Sequence, residues 1–151
     1  MSKKNLKGKL LTVEEIEALW SKTYSELGKP DWSHIFPYYH EDIRFHDSIQ
    51  RIEGKEEFIE MCNRLAKRCK SLKMDIYNII MTDNIVMMDW KMTMSFRIFP
   101  EKPIFGATRL TFNEDGLITD QRDYYDLWGD IYNEIPGIRR IYRWFMKVFF
   151  G

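Results

Sequence analysis

Apolar and polar residues alternate most clearly between positions 85 and 99. Met88, Trp90, Met92, Met94, Phe96 and Ile98 interleave with Asp89, Lys91, Thr93, Ser95 and Arg97. A period of two places the two sets on opposite faces of a strand, so this segment predicts a sheet with one dry and one wet face. Segments 72–81, 104–112 and 117–127 predict three further strands. The divisions fall at Thr82-Asp83-Asn84, Pro100-Glu101-Lys102-Pro103 and the hairpin turn Asn113-Glu114-Asp115-Gly116. A shorter strand is predicted over 43–48.

The helical period dominates the first part of the chain. Ile16, Leu19, Trp20, Tyr24 and Leu27 form one apolar face of a helix predicted over 12–27. Thr12 with Glu15 makes a capping box at its start, and Gly28 suits its stop. Asp31 or Ser33 caps a short second helix ending near Tyr39. After Gly54 a third helix is predicted over 55–69, with Phe58, Cys62, Leu65 and Cys69 on one face. Its acids come early and its bases late, which suits the helix dipole. Helices first and an antiparallel meander afterwards give an α+β fold.

The last segment, 138–150, is again helical. Ile138, Ile141, Tyr142, Phe145 and Phe149 share a face, Arg139, Arg143 and Lys147 run beside it, and Trp144, Val148 and Phe150 widen the apolar side. Such an amphipathic helix caps the fold, joins a dimer, or makes weak contact with a membrane surface.

Composition narrows the class of protein. A chain of 151 residues predicts one domain, here 12–130, between a basic tail at 1–11 and a basic, aromatic extension at 131–151. Aromatic residues reach 15%, enough for a large core or a ring-lined pocket. Lys plus Arg and Asp plus Glu are 23 each, which argues against a whole-domain nucleic-acid binder. The balance is uneven along the chain: Lys3, Lys4, Lys7 and Lys9 at one end and Arg139, Arg140, Arg143 and Lys147 at the other flank an acidic middle. Cys62 and Cys69 stand two helical turns apart, about 10 Å and too far for a disulfide. That fits a reducing compartment. There is no apolar run long enough to span a bilayer and no secretory leader pattern, so a cytoplasmic location is expected.

The order of elements, α-α-β-α-β-β-β-β, resembles the nuclear transport factor 2-like superfamily, which includes ketosteroid isomerase, limonene epoxide hydrolase and the SnoaL-like cyclases. Three stretches carry it: Tyr39-His40-Glu41-Asp42-Ile43-Arg44-Phe45-His46-Asp47, Gly54-Lys55-Glu56-Glu57-Phe58, and Phe112-Asn113-Glu114-Asp115-Gly116-Leu117-Ile118 followed by Arg122-Asp123-Tyr124-Tyr125-Asp126. The SnoaL-like group is the most similar part of it. The resemblance implies a cone: a curved, mixed and mostly antiparallel sheet wrapped around the N-terminal helices, a cystatin-like α+β roll. It also implies homodimerisation through the outer sheet face.

By that resemblance Asp47 stands where ketosteroid isomerase keeps its general base, and Thr23 and Thr108 stand where it keeps its oxyanion donors. Asp123 stands where limonene epoxide hydrolase holds its water, but Trp90 and Met92 replace the arginine and second aspartate of the hydrolase relay. Neither mechanism therefore transfers whole. From the residues alone, Asp47 is a base or a carboxylate that fixes the loop before Gly54. Asp123 is an acid–base group or a rim carboxylate bonded to a ring residue.

Gln121, Asp123 and Tyr125 share a strand face by period two; if that face is dry, Asp123 meets Trp90 and has a raised pKa. Asp47, as the favoured base, and Asp123, as the second acid or water-holder, are thus the expected catalytic pair. Trp20, Met88, Trp90, Met92, Thr108, Gln121, Tyr125 and Trp128 are the expected ligand contacts. His40, His46 and Asp47 lack a metal-ligand spacing, and no phosphate loop or nucleophile elbow is present, so no metal or cofactor is expected. These features predict a cofactor-free isomerase, cyclase or hydrolase acting on a small polyketide-, steroid- or terpene-like molecule. The alternatives are a non-catalytic binder of such a ligand and a protein-interaction module.

Overall fold

The computed structural model describes residues 10–96 and 101–151. In chain order it has α1 (Val13–Ser21), a 3₁₀ turn (Phe36–Tyr38), β1 (Tyr39–His46), β2 (Arg51–Glu53), α2 (Lys55–Arg68), β3 (Ser71–Thr82), β4 (Ile85–Ser95), β5 (Lys102–Phe112), β6 (Ile118–Tyr125), α3 (Leu127–Asp130), a second 3₁₀ turn (Tyr132–Glu134) and α4 (Pro136–Phe150). The six strands form one sheet in the order β2-β1-β6-β5-β4-β3. β1 runs parallel to β6 and every other pair is antiparallel, so the sheet is mixed. It is curved and unclosed, as expected for an α+β cone.

The alternation in β4 sets the two faces. Val86, Met88 and Trp90 are buried on the inner face, while Met87 on the outer face is exposed. The helices cover the inner face. Phe58 of α2 sits at 5.4 Å from Phe45 and 4.6 Å from Tyr39 by ring centroid, and Trp20 of α1 reaches Tyr39 at 6.5 Å. Burying one such ring stabilises the fold by about 1.5–3 kcal/mol. The outer face carries exposed Ile80, Met87, Phe105 and Tyr124 around the Arg44–Asp120–Arg109 ion pairs.

Several elements depart from the sequence reading. The first helix stops at Ser21 rather than 27. Its capping box forms as expected, with Glu15 N–H donating to Thr12 Oγ1 at 3.2 Å and Thr12 N–H to Glu15 at 2.8 Å. Beyond it, Thr23 Oγ1–H donates to the Leu72 carbonyl at 2.8 Å and Leu72 N–H donates to Tyr24 Oη at 2.9 Å. These tertiary bonds at the start of β3 replace the last helical turn, and Leu27 is left 85% exposed. Gly28 (φ +71°) turns the chain so that Tyr24 bridges to Pro30. The helix expected to end near Tyr39 contracts to the 3₁₀ turn, and Tyr39 opens β1, which ends at His46 rather than at 48. β2 was not expected; its three residues are too few to show a period. β5 starts at Lys102 and includes Pro103, paired with Thr93, and β6 ends at Tyr125 where α3 begins. The expected strand over 85–99 is observed to Ser95, and its positions 97–99 lie outside the described residues.

Candidate functional site

The inner face of the sheet, α1 and α2 line a cavity of about 580 Å³. β6 supplies Gln121, Asp123 and Tyr125 by its period of two, β5 supplies Ile104 and Thr108, and β4 supplies Trp90, Met92 and Met94. Thr108 lies directly opposite Asp123 in the β5–β6 ladder, and Gly106 lies opposite both Trp90 and Tyr125. The glycine matters. A Cβ at position 106 would stand 2.5 Å from the Trp90 ring and 2.7 Å from the Tyr124 carbonyl. Only a residue without a side chain lets the indole lie across β5 there.

Across that gap Trp90 Nε1–H donates to Thr108 Oγ1 at 2.8 Å. Thr108 Oγ1–H in turn donates to Asp123 Oδ1 at 2.7 Å. Gln121 Nε2–H reaches Asp123 Oδ1 at 3.0 Å and Oδ2 at 3.2 Å. Tyr39 Oη–H donates to Gln121 Oε1, which fixes the amide with its nitrogen toward the carboxylate. The chain of donors runs from two buried rings into one carboxylate edge. Oδ2 receives only the longer of the two Gln121 contacts among the described residues.

Burial raises the Asp123 pKa from 3.8 to about 6; the Asp47 charge pushes the same way, and the Thr108 and Gln121 bonds partly offset both. Near neutral pH such a group can both take and give a proton. Burial also pushes the Tyr39 and Tyr125 hydroxyls well above their usual range, so both remain donors. Cys62 lines the cavity too, but burial lifts its thiol to about 12, which leaves it unreactive.

Asp47 is the second carboxylate of the wall. Its Oδ1 accepts from Ile49 N–H and Gln50 N–H, both at 2.8 Å, and so fixes the β1–β2 turn. Its Oδ2 accepts from Tyr125 Oη–H at 2.9 Å and faces the cavity. His46, one residue earlier, is not part of the wall.

The structure brings together Asp47, Asp123, Trp20, Trp90, Met92, Thr108, Gln121 and Tyr125 in this wall. Two expected contacts fall elsewhere. Met88 is 1% exposed, packed in the core beyond the cavity, because the inner face of β4 is covered over that half. Trp128 is 48% exposed and stacks on Tyr142 of α4 at 5.0 Å, outside the wall, because β6 ends before it and α3 turns it outward. Thr23, expected as an oxyanion donor, spends its hydroxyl on the Leu72 carbonyl and does not line the cavity. Tyr39 and Phe58 also line the cavity, and Gly106 makes room for Trp90 beside it. The local pattern ends a helix at Tyr39, and only the strand register shows why position 106 is glycine.

A family model for the SnoaL-like domain matches residues 20–121. The chain belongs to the SnoaL-like domain family. The match runs from Trp20 in α1 to Gln121 halfway along β6, and so stops short of Asp123 and Tyr125. A protein of Shewanella denitrificans OS-217 assigned as a SnoaL-like polyketide cyclase is similar in fold, with a TM-score of 0.66 and 19% identity over 84% of this chain and 99% of that one. A limonene-epoxide-hydrolase-like epoxide hydrolase of M. tuberculosis aligns with a TM-score of 0.58 and 16% identity over 73% of this chain and 81% of that one. A protein of Jannaschia sp. CCS1, also assigned as a SnoaL-like polyketide cyclase, gives 0.57 and 20% over 65% and 74%. At these identities the likeness concerns the fold. No curated protein matches the sequence.

Proposed function

We propose that the cavity binds a small apolar molecule and that Asp123 moves a proton on it, without a cofactor, in an isomerisation, cyclisation or hydrolysis. The observation that carries this reading is a carboxylate on the floor of an apolar cavity, gripped along one edge by Thr108 and Gln121 with Oδ2 less engaged. The donors hold the carboxylate in place and stabilise its charge, while the apolar walls limit water. Asp47 is the positioning partner in this scheme: it accepts the hydrogen bond of the single Tyr125 hydroxyl proton and so holds that ring at the cavity wall with its oxygen free to accept from the substrate. The family's other members supply the reaction classes, since the similar proteins include assigned polyketide cyclases and an epoxide hydrolase.

The test is a panel of apolar cyclic ketones and epoxides. Exchange of ketone α-protons in D₂O reads proton transfer, and diol formation reads hydrolysis. Asp123→Asn keeps an oxygen for Thr108 but cannot take a proton. It should lower the rate by about 10²–10⁴-fold while leaving binding of the same compound within a few-fold. With Asp123 as base, the wild-type rate should rise with pH through about 6. An active Asp123→Asn protein would overturn the reading. Binding of the panel without turnover in the wild type would favour a carrier of apolar ligands, a second reading supported by the largely apolar wall of Trp20, Phe58, Met92 and Met94.

A further inference from the structure

α4 leaves the rim of the cavity and packs on little else. Ile135, which precedes its first turn, still lines the cavity mouth, whereas Pro136–Phe150 supplies no cavity wall and no buried residue. The helix is tied to the body by the Trp128–Tyr142 ring stack and by Arg143 Nε–H donating to Asn133 Oδ1 at 3.3 Å. At 3.6 residues per turn, Ile141, Trp144, Phe145, Val148 and Phe149 fall on one side. Arg139, Arg140, Arg143 and Lys147 fall on the other. Exposure is heavy on the apolar side: Ile141 is 70% exposed, Trp144 62% and Phe149 64%. From Ile135 to Gly151 there is no acidic residue, and the adjacent Glu134 is already paired with Lys102.

Three features decide what covers this face. The apolar arc spans roughly 160° of the helix, broader than the seam that one partner helix fills. The four cations share about 100° of the helix with no acidic residue among them, Phe150 being the one exposed large hydrophobic side chain on that side, and a second copy of the same helix would add like charge. Trp144 stands one turn from Arg140, at the border of the two faces, where an indole meets lipid headgroups. A planar anionic surface with an apolar interior satisfies all three. We propose that α4 is an interfacial helix that lies on an anionic phospholipid bilayer and brings the mouth of the cavity to it. The docking stands independently of catalysis, because α4 contributes nothing to the cavity wall. That an apolar substrate enters from the bilayer rests on the proposed function.

The experiment is co-sedimentation of the full chain with vesicles of pure phosphatidylcholine and of phosphatidylcholine with about one quarter phosphatidylglycerol. Binding should require the anionic lipid and weaken as salt is raised. Arg140→Gln and Lys147→Gln should each lower the partition coefficient about fivefold, and the pair about 25-fold, from the contribution of one surface cation. Ile141→Ser with Val148→Ser should also release the protein, with an unchanged thermal midpoint because these side chains are exposed. Equal binding to both vesicle types, no binding to the anionic ones, or unchanged binding by the glutamine variants would overturn the proposal. So would loss of oligomer mass on Ile141→Ser without vesicle binding, which would assign the face to a second copy. Turnover in the absence of vesicles tests the catalytic reading separately.

Discussion

The floor of the cavity and the C-terminal helix are both rich in aromatic and apolar side chains, yet they end in opposite environments. Trp90 is 3% exposed and its indole N–H is spent on Thr108. Trp144 is 62% exposed, on a helix with no buried residue. The floor residues lie on strands whose neighbours are fixed by backbone ladders on both sides, so each ring meets a defined partner. The helix has satisfied its own backbone bonds and has no further layer to pack against. Aromatic content therefore says that apolar surface must be covered. It does not say whether the cover is protein.

That contrast gives a paired mutation. Phe58→Ala removes a ring in contact with Phe36, Tyr39 and Phe45 and should cost about 3–5 kcal/mol by urea unfolding. Phe149→Ala, on the exposed helix, should fall within about 0.5 kcal/mol. Similar costs for the two would erase the distinction between rings packed around the cavity and rings on the C-terminal helix.

A smaller effect tests the charge buried in the floor. The Asp123 pKa is higher folded, about 6, than its ordinary 3.8, so the folded state holds the proton more tightly. The stability that follows is fully present below about pH 4 and is lost as pH rises through 6, by about 3 kcal/mol in all. The stability difference between wild type and Asp123→Asn should shift by that amount, against the wild type, between pH 4 and pH 8. A difference that stays flat would mean the carboxylate is better solvated than its surroundings suggest.

The finest test is Gly106→Ala. One methyl would stand 2.5 Å from the Trp90 ring, so the ring must shift or β5 must bend, at a cost of about 1–3 kcal/mol. Displacing the indole also removes the donor behind Thr108. Near-ultraviolet circular dichroism should therefore change along with the unfolding midpoint. An unaltered spectrum would show that the ring has room the present packing does not reveal.

Much of this was legible from local pattern. The period of two in 86–94 gave the two faces of β4, and the same period in 121–125 put Gln121, Asp123 and Tyr125 on one side. Thr12 and Glu15 announced the start of α1, because a capping box involves only residues three apart. Its end was not legible. Thr23 and Tyr24 continue a helical pattern, but their hydroxyls bond Leu72, 49 and 48 residues away, and no local signal records that. The roles of the two carboxylates were hidden for the same reason. Asp47 and Asp123 are both carboxylates on or beside strands, but one holds its own turn and the other collects donors from Thr108 on β5 and Gln121 on β6.

The sequence by itself determined the α+β order, the dry face of the sheet, the acidic pair and the basic, apolar character of the last helix. These depend on periodicities of two and 3.6 and on side-chain chemistry, which are properties of short stretches. Tertiary structure decided which carboxylate is buried, why position 106 must be glycine, and that Met88 fills the core while Trp128 turns outward. Each of those depends on strand register, where a shift of one residue exchanges the two faces, and register is set by how the whole sheet pairs and packs on its helices.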